Sequence, residues 1–249
     1  MTRIHLHTLT LPGHRAPGAG YEAPFEMLDA CHERVERMLR LLHKLRAHLQ
    51  ASGWDAQAAE AARDVLRYFN EAAPRHHEDE ERHVFPAVLA APDAPALPHT
   101  GTDDGTGADS GQGNGGGTGT NNNGIDKGTG SSLHAVVRRL LQDHADMQTR
   151  WASARPVLER IARPPAEDRA SSQTRWQPLA ASEEAALDSF ASLYASHIEA
   201  ENQLIYPAAQ QTLTPAQLQA MSTDMMARRG VVLPAAAATP AASGPSFTA

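Results

Sequence analysis

A chain of 249 residues allows one or two domains, and much of its 41% hydrophobic content is alanine. A net charge of −7 without a long basic run argues against nucleic acid as a main partner. The single cysteine excludes an internal disulfide and a Cys-based zinc or iron–sulfur site within one chain. The first twenty residues lack the apolar core of a signal peptide, and no stretch approaches the roughly 18 apolar residues of a membrane span, so a soluble cytoplasmic protein without a membrane partner is expected.

Residues 1–21 read as a tail whose His5, His7 and His14 share no helical or strand period. From Glu22 to about Ser52, Leu28, His32, Val35, Leu39 and Leu42 recur in steps of four and three, the seam of a bundle helix. His32 falls in that seam, Cys31 reads as a small packed thiol, and His43 falls on the same face further down. Gly53 ends this helix and Asp55 can cap the next, which runs from about Ala56 to Ala90. Pro74 removes a backbone hydrogen bond and is expected to kink that helix. Phe69, His76, Glu80, His83 and Ala87 fall on one face, and the other acids of 78–81 read as a solvated side.

Residues 91–130 hold 12 of the 18 glycines and read as a disordered connector between two halves. Ser131 or Ser132 can cap a third helix reaching about Ile161, with Leu133, Val137, Leu140, His144, Met147 and Trp151 as its stripe. After a polar connection from Arg163 to Pro178, a fourth helix spans about Ala180 to Gln211 and carries Phe190, Leu193, His197, Glu201 and Leu204 on one face. Thr214-Pro215 opens a short extra helix that Gly230 closes, and 231–249 read as an Ala/Pro tail. The expected organisation is thus a tail (1–21), an all-α unit (22–212) with the 91–130 insertion, a short helix (213–230) and a second tail.

The second and fourth helices repeat one template. His76 to Pro86 and His197 to Pro207 each read His, three residues, Glu, then an apolar-aromatic-Pro ending, 121 residues apart. A His and a Glu four apart on a helix lie about 40° apart around the axis and about 6 Å along it, so both can reach one metal ion or a pair. His77/Glu81 has the same spacing, but its counterparts are Ile198 and Asn202. Only His76/Glu80 and His197/Glu201 occur in both copies and are assigned as ligands; His77 and Glu81 read as solvated or outer groups. Leu28-x-x-x-His32 is likewise matched by Leu140-x-x-x-His144.

Four helices thus place one histidine each, His32, His76, His144 and His197, on a core stripe, and two add Glu80 and Glu201. Burying four imidazoles and two carboxylates without a cation costs several kcal/mol per charge. Nitrogen and oxygen ligands without thiolate favour iron or manganese over structural zinc. Two octahedral ions offer about twelve positions; four imidazoles, two bridging carboxylates and an oxo or hydroxo bridge leave about two open. A small ligand such as dioxygen, peroxide or nitric oxide fits there. The ferritin-like layout needs Glu-x-x-His on two helices, and only Glu80-x-x-His83 supplies it. His83 stays a candidate partner of Glu80 or a spare ligand.

The helix pair with His in the first and His-x-x-x-Glu…Phe/Tyr-Pro in the second, occurring twice over about residues 22–212, resembles the hemerythrin-like HHE cation-binding family. The resemblance implies an up-down four-helix bundle around a non-haem di-iron centre. Its ligands match His32, His76, Glu80, His144, His197 and Glu201, with the two glutamates bridging. The pattern is similar to the symmetric four-His, two-Glu branch, which includes iron–sulfur cluster repair proteins. It departs from the oxygen carriers, which have five His and use His-x-x-x-His. The repair proteins carry a Cys-containing N-terminal domain, whereas this chain has Cys31 alone. Sensing, binding or detoxifying dioxygen, peroxide or nitric oxide, iron storage or delivery, and a helical adaptor with a structural metal are the functions in competition. The sequence does not decide whether the protein is an enzyme.

Overall fold

The computed structural model describes residues 20–96, 131–164 and 176–231. The expected N-terminal tail up to residue 19, the insertion from 97 to 130, residues 165–175 and the tail from 232 lie outside the described residues. Among the described residues there is no strand, only an isolated bridge between Pro95 and Ser132, and the rest of the regular structure is helical. No helix there is long and apolar enough to cross a membrane.

Helix α1 is Pro24–Ser52, opened by a proline at a position where its missing N–H costs nothing. It ends at Gly53, whose φ of 76° suits only a residue without Cβ. Helix α2 runs without a break through residues 56–90, with the Asp55 carboxylate accepting from the Ala58 N–H at 2.8 Å. Helix α3 is Leu133–Ala162, capped by Ser132. Helix α4 covers 181–212 with a turn at 192–193, and α5 is Pro215–Arg228, opened by a Thr214/Gln217 capping box.

Within α2 and α4 the winding loosens three times into a π turn: Tyr68–Ala72, Glu80–Val84 and Glu201–Ile205. Each is followed by one residue and then a proline, Pro74, Pro86 or Pro207. The proline ring clashes with the carbonyl four residues back and donates nothing to it. The wider turn relieves this: the residue before each proline bonds one place further back, Ala73 to Tyr68, Phe85 to Glu80 and Tyr206 to Glu201. The expected effect of Pro74 is thus a change of winding that leaves the helix continuous.

The apolar side chains form two clusters. One gathers Val35, Leu42, Phe69, Met147, Leu158 and Phe190; the other gathers Leu28, Phe85, Leu140, Ile205 and Tyr206. Along α1 and α3 the second cluster comes first, and along α2 and α4 it comes last, so consecutive helices run in opposite directions. On every helix the switch between clusters falls at a histidine: His32, His76, His144 or His197. Helix α5 adds Met221 and Met225 to the second cluster.

Four expectations are corrected here. His43 is exposed; the buried histidine further down α1 is His48, held by Asp55 at 3.0 Å. Asp79 is not on a solvated side but fully buried, paired with Arg228 and Arg229 at the end of α5. His83 contacts neither Glu80 nor the other ligand candidates and binds Asp224 of α5 at 2.8 Å. Residues 94–96 are not free connector: the Ala96 N–H donates to Ser131 and the Leu133 N–H to Ala94, both at 2.8 Å, pinning the end of α2 to the start of α3.

Candidate metal centre

Between the two apolar clusters the six candidate side chains meet. Glu80 and Glu201 have no exposed surface, and the four histidines are at most 5% exposed. They sort into two overlapping groups, His32/His76/Glu80/Glu201 and His144/His197/Glu80/Glu201, and in each the ligand atoms lie within 4.8 Å of one another.

The two glutamates divide their oxygens between the groups. Glu80 turns Oε1 to His76 Nε2 at 3.3 Å and Oε2 to His144 Nε2 at 3.5 Å. Glu201 turns Oε2 to His32 Nε2 at 3.1 Å and Oε1 to His197 Nε2 at 3.0 Å. These approaches lack hydrogen-bond geometry for Glu80 Oε2 and for both oxygens of Glu201, which stay buried without a partner. His144 Nε2 and His197 Nε2 face each other at 3.2 Å. Lone pairs and buried anionic oxygens converge on common points here, with the Tyr206 hydroxyl as a donor to Glu80, and such a donor set suits a cation.

The outward nitrogens are fixed by a second set of residues. Asn202 Oδ1 accepts from His32 Nδ1 at 2.8 Å, Glu81 from His144 Nδ1 at 2.8 Å, and Asp143 from His197 Nδ1 at 3.4 Å. Such partners set the tautomer, leaving the Nε2 lone pair to face inward. Glu81 is therefore no mere solvated carboxylate, although its side chain is 45% exposed. His76 Nδ1 has no hydrogen-bond partner. Sequence reasoning missed Asp143 and the bonding role of Asn202, though Asn202 is the repeat counterpart of Glu81. Glu81 and Asn202 each serve the histidine of the other half, on the first helix of its pair.

Aromatic residues cover both ends. Tyr206 stacks on His32 with centroids 5.3 Å apart and donates its hydroxyl to Glu80. Its counterpart Phe85 lies 5.5 Å from His144 and has no hydroxyl to donate. Beside His144 a cavity of about 470 Å³ opens between α2, α3 and α4, walled by Phe69, Pro74, His77, Met147, Trp151 and Tyr194. His77 is only partly exposed there.

Burial governs the titration of the group. It holds the His76 imidazole well below its ordinary range and pushes His144 down to about 2 and His77 to about 4, with neighbouring histidines adding to the effect. At His197 burial also pushes down, but Glu201 and Asp143 outweigh it and lift the imidazole to about 9. Burial and then the charge of Glu201 raise the Glu80 carboxyl well above the carboxylate range. Both shifts favour the protonated forms of His197 and Glu80, and a cation bound among them would compete with those protons.

Residues 23–103 match the family model of the hemerythrin HHE cation binding domain, which spans α1 and all of α2. A curated relative, an uncharacterized protein of Haemophilus influenzae, is 41% identical over 71 residues, 28% of this chain and 41% of the relative. The chain thus spans about two fifths of that relative's length.

Proposed function

We propose that this chain, a hemerythrin HHE cation-binding domain over residues 23–103, holds two iron ions through His32, His76, His144, His197 and two bridging glutamates, Glu80 and Glu201. One observation carries the reading: each glutamate turns one oxygen toward each histidine pair. The orphaned carboxylate oxygens fit the same arrangement, because they are anionic, buried and otherwise unsatisfied. The opposed directions of consecutive helices and the repeated template support an up-down four-helix bundle built from two helix pairs, closed by α5.

Iron held there would supply redox chemistry and open coordination positions for a small ligand. The chain's own residues shape that chemistry. Asn202, Glu81 and Asp143 hold three imidazoles in the tautomer that faces inward. Tyr206 donates a hydrogen bond to Glu80 and so holds that carboxylate in place. The two apolar clusters exclude water from either end. The reading is a protein of the cytoplasm that senses, binds or detoxifies dioxygen, peroxide or nitric oxide.

The test is metal analysis and a visible spectrum of anaerobically purified protein, before and after air or nitric oxide. Two irons per chain and a spectrum that responds to either gas are expected. One metal per chain, or zinc at full occupancy from iron-replete cells, overturns the di-iron reading. Two irons that leave reversibly with no spectral response assign the chain to storage or delivery.

A further inference from the structure

The cavity between α2, α3 and α4 has a floor and a mouth of different character. Its buried walls are Phe69, Met147, Phe190 and Tyr194, with the half-buried Trp151 beside them. The rings of Phe69, Trp151 and Phe190 pack on one another with centroids 4.9 to 5.4 Å apart, and Tyr194 adds its ring 5.3 Å from Phe190. Glu81, Leu141, Ala145 and Gln148 line it and are exposed, so they mark the side open to solvent. Its volume of about 470 Å³ is roughly three times that of a cavity that takes up one benzene ring.

Two polar groups of the lining are unpartnered. The Tyr194 side chain is 3% exposed, yet its hydroxyl has no hydrogen-bond partner among the described residues, where a buried tyrosine normally finds one. Neither ring nitrogen of His77 has one either, and that ring lies flat against His144 at 4.0 Å. Burial keeps the Tyr194 phenol protonated and His77 neutral. No Lys or Arg lines the cavity; Glu78 is paired with Arg82 at 2.6 Å, and Glu81 places a carboxylate at the mouth. An anion would therefore lose its hydration there without gaining a counter-charge. The 121-residue repeat is broken at both polar groups: the counterpart of His77 is Ile198 and that of Tyr194 is Ala73.

We propose that this cavity binds a neutral aromatic molecule of one or two fused rings that carries a hydroxyl or amine donor. The ring lies among Phe69, Trp151 and Phe190, where edge and face contacts between aromatic groups add to simple burial. Tyr194 and His77 supply hydrogen bonds to its polar group, and Glu81 turns carboxylates and phosphates away. The site meets the six inner side chains only at the wall made by His144. It goes beyond the two-metal reading and does not depend on it.

The test is titration calorimetry under argon on the full chain as purified, with its iron content measured beside each titration. The probes are 2-naphthol, 2-naphthoate and 2-decalol, which separate the effects of the ring, the charge and the aromaticity. One 2-naphthol should bind per chain with a Kd of about 1 mM or tighter. Binding of 2-naphthoate should be at least about 10-fold weaker, and that of the saturated 2-decalol about 5-fold weaker. Tyr194→Phe should weaken 2-naphthol about 5-fold by removing one hydrogen bond. Ala145→Phe, a change at an exposed lining position that fills the cavity, should abolish binding. No binding of 2-naphthol, equal or tighter binding of 2-naphthoate or 2-decalol, or unchanged affinity in either variant overturns the proposal. If Ala145→Phe fails to fold, Tyr194→Phe and the three probes decide the matter. Normal 2-naphthol binding by a chain that holds fewer than two irons supports this proposal and overturns the two-metal reading alone.

Discussion

The two halves of the centre use the same template and are set in different surroundings. In the first half, His32 is steadied by the neutral amide of Asn202, His76 has no partner at Nδ1, and Tyr206 closes the end with a hydroxyl on Glu80. In the second half, His144 and His197 are steadied by the carboxylates of Glu81 and Asp143, Phe85 closes the end, and a cavity opens alongside. A carboxylate behind an imidazole makes it a stronger donor than an amide does. The inner His and Glu side chains of the two halves match, while their outer partners differ. The second half carries the more anionic surroundings and is also the more accessible one.

Removing a shared group should have the largest effect. Glu80→Ala takes an oxygen from both halves and leaves buried imidazoles without their anion. At least one iron should be lost, with the loss of any absorption that depends on bridged metals, as read by elemental analysis and visible spectroscopy. Retention of both irons in Glu80→Ala would remove the bridging role.

Next comes the contrast between outer partners. Glu81→Gln and Asp143→Asn each replace a carboxylate by an amide, which makes the second half resemble the first. Competition with a chelator should show the tighter of two iron-binding steps weakened by about 10- to 100-fold. The reverse change, Asn202→Asp, should strengthen the weaker step. If Asn202→Asp instead loosens iron, charge is not what separates the halves.

Tyr206→Phe gives the first half the roof of the second. The buried hydroxyl and its bond to Glu80 disappear, which should lower the stability of the metal-free protein by about 1–3 kcal/mol in urea unfolding. An unchanged unfolding midpoint would show that the hydroxyl contributes nothing there.

The smallest effect concerns α5, which packs beside Tyr206. The His83 contact, and then Arg228, hold the Asp224 carboxyl below its ordinary range. A carboxyl depressed in the folded state stabilises above its unfolded value of about 3.9 and loses that contribution as pH falls through the lower folded value. Amide protection factors in α5, exchange rates divided into their intrinsic values at each pH, should therefore be flat from neutral pH down to about 4 and fall below it. Protection that already falls between pH 7 and 5 would place the sensitive group elsewhere.

The helices and the candidate side chains that meet between the two clusters were legible because their signals are local. An apolar stripe in steps of three and four, and a His with a Glu four residues on, are both set by helical geometry within one segment. Repetition then chose between His76/Glu80 and His77/Glu81, a choice that one copy alone leaves open. What was not legible crosses between helices. Asp79 looks like one acid of a surface run until Arg228 and Arg229, some 150 residues on, bury it. His83 has helical spacing toward Glu80 yet turns to Asp224, because α5 docks on that side. The bonds from Glu81 to His144 and from Asn202 to His32 depend on which helices become neighbours, and no spacing in the chain encodes that.

The π turns carry a consequence for how a metal ion could enter. The carbonyls of Arg82 and Gln203 stand four residues before Pro86 and Pro207, and proline offers them no amide. Each weakened stretch begins at a shared glutamate, Glu80 or Glu201. The helices carrying these carboxylates thus have their softest links beside the buried Glu80 and Glu201, where a cation would have to enter. Local breathing at these links would give a cation a route in and out without global unfolding. Its signature would be hydrogen exchange at residues 80–86 and 201–207 that is faster than in the turns on either side, and that slows once iron is bound.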